Sequence, residues 1–182
     1  MGDQLSARDW LDQGLRTLAK HGFTALKAEP LAKAIGVSRG SFYWHFADVG
    51  AFRVAILEHW RDVAVERIIA DLEALSPDRN ALPVLLNRAF GGKPPALESA
   101  MRSWAARDPV ARSAVQAVDQ RRLGYIENLL RRSGLPLDVA RARTQILYWA
   151  FLGFALSDKP LSRARQAAIR EELLRIASDD GR

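Results

Sequence analysis

The sequence predicts an all-α protein, and three observations carry that expectation. Almost every segment repeats its apolar residues at helical period, no run of alternating β-branched residues marks a strand, and glycine, proline and capping residues cut the chain at helix-length intervals. The pattern gives about nine helices in two regions. With 182 residues, 48% hydrophobic and 26% charged, the chain is long enough for a small module joined to a larger one and too apolar for wholesale disorder.

The elements follow in order. Ser6, with Asp9 three residues on, has the spacing of a capping box that opens a first helix. Leu11, Leu15, Leu18 and Ala19 give that helix an apolar stripe ending near His21-Gly22, and Phe23 turns back toward the core. A short second helix fits Ala28 to Ile35, with Pro30 tolerated in the first turn and Gly36 as its stop. Ser38 caps a third helix running to about Phe46, and Asp48 caps a long fourth one, from about 48 to 75, that includes Phe52, Ile56 and Trp60. Ser76-Pro77-Asp78, Gly91-Gly92 with Pro94-Pro95, Asp108-Pro109, Gly134 with Pro136, and Asp158 to Ser162 then punctuate five further helices. The longest run from Pro109 to Ser133 and from Leu137 to Leu156, and the last from Arg163 to Ala177.

Composition excludes several chemistries. There is no cysteine, so disulfide frameworks, thiol catalysis and cysteine-based zinc sites are ruled out, and a reducing cytoplasm suits the chain. The net charge of +6 does not locate a nucleic-acid site: residues 1–65 hold eight basic against seven acidic side chains, and the excess lies in the rest. The N-terminus has no apolar h-region and no later stretch has the length of a membrane span, so no membrane partner is expected. Gly2 and Ser6 satisfy the literal myristoylation pattern, but the capping-box reading of Ser6 takes precedence.

Two short helices, a tight turn and a small residue at their contact make a helix-turn-helix, and LAKAIGVSRGSFYWHF supplies each part. Ala32 is the small contact residue, Gly36 takes the left-handed turn conformation, and Leu31, Ile35, Val37 and Phe42 lock the pair together. The outer face of the second helix then carries Ser38, Arg39, Gly40, Ser41, Tyr43, Trp44 and His45, a set of donors, one cation and flat rings suited to phosphates and base edges.

Residues 6 to 65 resemble the TetR family of bacterial regulators. The family's run of a Gly-Phe pair, a Leu-Ala pair, A-G-V-S-x-G and Y-x-x-F stands here as Gly22-Phe23, Leu31-Ala32, IGVSRG and Tyr43-Trp44-His45-Phe46. The resemblance implies that Lys27 to Phe46 binds double-stranded operator DNA, with Tyr43 and His45 on phosphates and Ser38, Arg39 and Ser41 near base edges. Arg39 is the expected base reader, since arginine is the usual partner of guanine. Two positions depart from the pattern: Lys27 stands where threonine is common, and Val49 where lysine is common. Lys27 can replace a phosphate contact; Val49 has no side-chain donor.

The resemblance further implies a homodimeric, ligand-responsive repressor in the cytoplasm, acting on a near-palindromic operator with no cofactor and no catalytic step. Its DNA-binding domain spans 1–50, and a helical ligand-binding and dimerisation domain spans 51–182. Ile146 to Leu156 is apolar on nearly every face and must be covered on several sides. Phe154, Ile169, Leu173 and Ile176 are the expected dimer contacts. Met101, Trp104, Tyr125, Tyr148, Trp149 and Phe151 are candidates to line a cavity for an unidentified small-molecule effector. Arg102, Arg121 and Arg122 read as solvated faces, Arg102 pairing with Glu98 at i,i+4.

Competing readings are weaker. Gly36-Val37-Ser38-Arg39-Gly40 is a literal G-x-S-x-G, but a hydrolase elbow needs a strand before its serine, and PLAKAI is a helix pattern. His21, His45 and His59 have no i,i+3 or i,i+4 pairing for a metal. A helical protein-interaction adaptor without DNA binding remains as the alternative, and it has no need of Arg39 and Tyr43 on one exposed helix.

Overall fold

The computed structural model describes residues 5–76, 80–92, 95–158 and 161–178, and among these all regular structure is helical. Two compact units organise the chain, Met1–Ala64 with Ala96–Ala117 and Val65–Pro95 with Val118–Arg182.

The first unit begins with α1, Ala7–His21, opened by the expected capping box: the Ser6 amide donates to the Asp9 carboxylate at 2.8 Å and the Asp9 amide to Ser6 Oγ at 3.4 Å. Gly22, at φ 76°, ends it. A 3₁₀ turn at Phe23–Ala25 leads into α2, Ala28–Ile35, which stops at Gly36 in the left-handed conformation, φ 74° and ψ 29°. Helix α3 is Arg39–Tyr43, shorter than the expected run to Phe46. The chain leaves the helix after Tyr43, and Phe46 turns back into the core, 8% exposed. Asp48 caps α4, Val49–Arg61, its carboxylate accepting from the Ala51 amide at 2.7 Å.

These helices share an aromatic core. Phe42 lies 5.3 Å from Trp10, 5.3 Å from Phe46 and 5.2 Å from Phe52, ring centre to ring centre. Trp10, Leu18, Leu31, Phe42, Phe52 and Ile56 are all fully buried. Each such side chain stabilises the unit by about 1.5–3 kcal/mol relative to exposure. The buried stripe of α1 is Trp10, Gly14, Leu15 and Leu18, whereas Leu11 and Ala19 are only partly covered. Helix α7, Ala96–Ala105, packs on α1 and on the 3₁₀ turn, where Trp104 stacks on Phe23 at 6.0 Å and 4°. Helix α8, Pro109–Arg132, starts in this unit; Asp108 caps it, accepting from the amides of Val110 at 2.8 Å and Ala111 at 3.0 Å.

In the chain α4 runs without a break through a π-helical turn, Asp62–Glu66, into α5, Arg67–Glu73, so the expected fourth helix is one run with a widened turn inside it. The second unit adds α6, Ala81–Phe90, the later part of α8, α9, Leu137–Ala155, and α10, Arg163–Ala177. Its core gathers Leu82, Leu86 and Phe90 of α6, Leu130, Leu147, Leu173 and Ala177. Asn80 and Ser162 cap α6 and α10. With α4 and α5 taken as one run, the described residues hold nine helices. The readings that fall on Gly2, Pro77-Asp78, Pro94 and Lys159-Pro160 lie outside the described residues. No described helix is long and apolar enough to cross a membrane.

Candidate nucleic-acid interface

The pair α2 and α3 forms because a short amphipathic helix, a left-handed glycine and a serine-led second helix follow one another directly. Ala32, 2% exposed, sits at the contact, and the Val37 amide donates to the Ala32 carbonyl at 3.0 Å, closing the turn. Leu31 and Phe42 are fully buried beneath it; Ile35 and Val37 are half-buried and close its edge. Because α2 precedes Ser38, the serine stands at the start of one helix after another, and the strand-to-helix elbow of a hydrolase is ruled out.

With Phe42 facing inward, the rest of α3 faces out. Ser38 is the N-cap residue, and its hydroxyl makes no capping bond. Ser38, Arg39 and Gly40 are exposed, Ser41 and His45 half-buried, Tyr43 45% exposed and Trp44 88% exposed. Lys27 is exposed at the N-cap of α2. Arg39 Nη2 donates to the Tyr43 hydroxyl at 3.2 Å, and its guanidinium carbon lies 5.6 Å from the Tyr43 ring centre. That hydrogen bond is the largest cause of a raised Arg39 pKa. The eight expected DNA-contact residues therefore all belong to one unit, on α3, its flanks and the start of α2.

One contact was not anticipated from the sequence. His59 of α4, 8% exposed, meets Asp12 of α1 through Nε2 and Oδ1 at 2.6 Å, tying α1 to α4 beside the aromatic core. Forty-seven residues separate the two, and helical periodicity carries no signal for such a pairing.

The expected effector residues are distributed differently. Met101 and Trp104 are buried in the first unit, whereas Tyr125, Tyr148, Trp149 and Phe151 belong to the second. Tyr148 donates its hydroxyl to Asp119 at 2.5 Å and lies 6.2 Å from Phe151, which Arg122 covers with its guanidinium at 5.2 Å. Trp149 points the other way, 64% exposed, so it lines no interior cavity of the single chain. Glu98 is 3% exposed and paired at 2.8 Å to Arg102, which is half-buried, so Arg102 is not a fully solvated face. Arg122, half-buried over Phe151, is likewise no free surface cation, whereas Arg121 is exposed and reaches Glu66 at 3.4 Å.

Among the expected dimer residues, Leu173 is 6% exposed and packs in the core of its own unit, so it is not available as a contact to a second copy. Phe154 and Ile176 are half-buried against the same core, and Ile169 is 37% exposed. The outward apolar face is instead Ile146, Trp149, Gly153 and Leu156 on α9 and its C-cap, spaced at i, i+3, i+7 and i+10. Beside it lies a cleft of about 200 Å³ lined by Phe90, Ala150, Gly153, Phe154, Leu161 and Ile169.

An all-helical chain that presents a polar and aromatic helix face from a buried core defines a structural class, the helix-turn-helix proteins. Residues 11–48 match the family described as bacterial regulatory proteins, tetR family, and the chain has the TetR fold. Solved structures agree in fold over nearly their whole length. NemR of E. coli in its reduced form superimposes with a TM-score of 0.72 at 20% identity, covering 94% of this chain and 97% of that one. A transcriptional regulator from Saccharomonospora viridis in complex with choline gives 0.71 at 14%, covering 93% and 95%. A member of the TetR family from Streptomyces coelicolor gives 0.64 at 25%, covering 94% and 98%. Comparison with curated protein sequences gives no match.

Proposed function

We propose that this protein is a homodimeric repressor that binds a near-palindromic operator through α3 and is released by a small apolar or aromatic ligand. One observation carries the reading. Arg39, Tyr43 and Trp44 project from a helix whose opposite side, Phe42, is locked into a fully buried aromatic core. Exposed rings and a cation on so rigid a mount suit insertion into a major groove, where phosphate contacts set register and Arg39 reads a base. One short helix reads too few bases for specificity, so two copies a helical turn of DNA apart, or a multiple of it, are needed.

The division of labour proposed is DNA binding by residues 1–50, and ligand binding and dimerisation by residues 51–182. The α9 face of Ile146, Trp149 and Leu156 supports the dimer, since three large apolar side chains on one helical face gain from being covered by a second copy. Phe52 and Ile56 fasten α4 to the DNA-binding helices, so a ligand that prefers a shifted α4 re-aims α3. The choline held by the Saccharomonospora viridis protein supports a small-molecule effector here without identifying it. No catalytic residue is assigned.

Arg39→Ala tests the reading. It is expected to weaken operator preference in a gel shift while leaving the fold intact, at a cost of about 1–3 kcal/mol of discrimination per base contact. Unchanged preference rejects Arg39 as the reader, and no DNA binding by the wild type leaves the adaptor reading.

A further inference from the structure

Arg39 and Tyr43 stand one helical turn apart on the outward side of α3, and their side chains meet. The hydrogen bond from Nη2 to the hydroxyl and the placement of the guanidinium over the ring hold one and the same arginine rotamer. Neither side chain is forced into this contact by the core, since Arg39 is exposed and Tyr43 is 45% exposed. An exposed arginine without such a partner samples many rotamers, and seating it on a base edge then costs that freedom.

Resting on the operator-binding reading above, we propose that Tyr43 is a positioning residue for base readout: it holds the Arg39 guanidinium extended along α3 before DNA arrives. The donor count permits it. A guanidinium carries five N–H groups, and the bond to Tyr43 uses one hydrogen on Nη2. The other Nη2 hydrogen, both on Nη1 and the one on Nε stay available for the paired contact to guanine O6 and N7. Tyr43 therefore acts on specificity through Arg39, which a tyrosine that only anchors a phosphate does not do.

The two roles leave different signatures. A lost phosphate contact weakens binding to all sequences alike and lowers the salt dependence, leaving base preference intact. A lost positioning contact flattens preference at the one base that Arg39 reads.

The test is selection of wild type, Arg39→Ala, Tyr43→Phe, Tyr43→Ala and the Arg39→Ala/Tyr43→Ala double variant on a randomised duplex library, followed by binding titrations at several salt concentrations. Tyr43→Phe keeps the ring and its 5.3 Å edge contact with Phe42, so it preserves the fold while removing the hydroxyl. It is expected to lower preference at the Arg39 base by about 3- to 10-fold, and Tyr43→Ala by about 5- to 30-fold. The double variant should lose no more preference there than Arg39→Ala alone. Uniform weakening by both Tyr43 variants with an unchanged base profile overturns the positioning role and leaves a phosphate anchor. A wild-type protein that selects no sequence overturns the operator reading itself.

Discussion

Asp108 shows how much one carboxylate decides at the residue scale. It receives two amides at the start of α8, and the Ala111 hydrogen bond, as the largest cause, holds its pKa below the ordinary 3.8. Asp108→Ala is expected to lower stability by about 1 kcal/mol near neutral pH, read by chemical denaturation. Because the folded-state pKa is depressed, the carboxylate's contribution is complete above its unfolded value and fades as pH falls through the folded one. The Ala variant should therefore lose less stability than wild type between about pH 5 and about pH 3. Equal acid sensitivity in the two proteins rejects the cap as the cause. Asp108-Pro109 is legible as a helix start from sequence, as are Gly36 as a stop and Asp48 as a cap, because each acts through its own backbone. The Arg39–Tyr43 contact has only its i,i+4 spacing as a signal; that these long side chains meet depends on rotamers that spacing does not specify.

Helix packing at the element scale turns on Gly14. A Cβ added there comes 2.3 Å from Ile56 Cδ1 and 2.8 Å from Phe52 Cζ, so α1 and α4 approach as closely as they do only because position 14 has no side chain. Gly14→Ala gains up to about 1 kcal/mol of helix propensity but forces overpacking worth about 1–3 kcal/mol. The second effect is expected to win because Phe52 and Ile56 are both fully buried, so any shift they make is against the packed core. Thermal denaturation is expected to show a lowered midpoint for Gly14→Ala and a larger drop for Gly14→Val; an unchanged or raised midpoint contradicts the close contact. Periodicity locates α1 and the Leu15–Leu18 part of its buried face but sets that face too far toward Leu11 and Ala19, since glycine does not register as apolar and Trp10 lies a residue ahead of the leucine row. The end of α3 was placed three residues too late because Phe46, apolar and i+4 from Phe42, fits a helix as well as the turn that returns it to the core. The π turn at Asp62–Glu66 has no sequence mark that hydrophobic spacing detects.

For the whole molecule, the apolar run from Ile146 to Leu156 announced that α9 is covered on several sides, but not which side faces what. Neighbours diverge sharply: Tyr148 is 4% exposed and Trp149 64%. This contrast yields a paired prediction in light scattering and melting experiments. Trp149→Glu should give a folded monomer, whereas Leu173→Glu, a charge within its own core, should unfold the protein. A Trp149→Glu variant that remains a dimer rejects the α9 face as the interface. The central claim, that α3 reads DNA sequence, is tested most directly by selecting duplexes from a randomised library with wild type and with Arg39→Ala. The account predicts that the wild type enriches a near-palindrome whose half-sites stand one helical turn or a multiple apart, and that the variant loses preference at one symmetric pair of bases. Enrichment of no sequence by the wild type, or of the same sequence by both proteins, contradicts it.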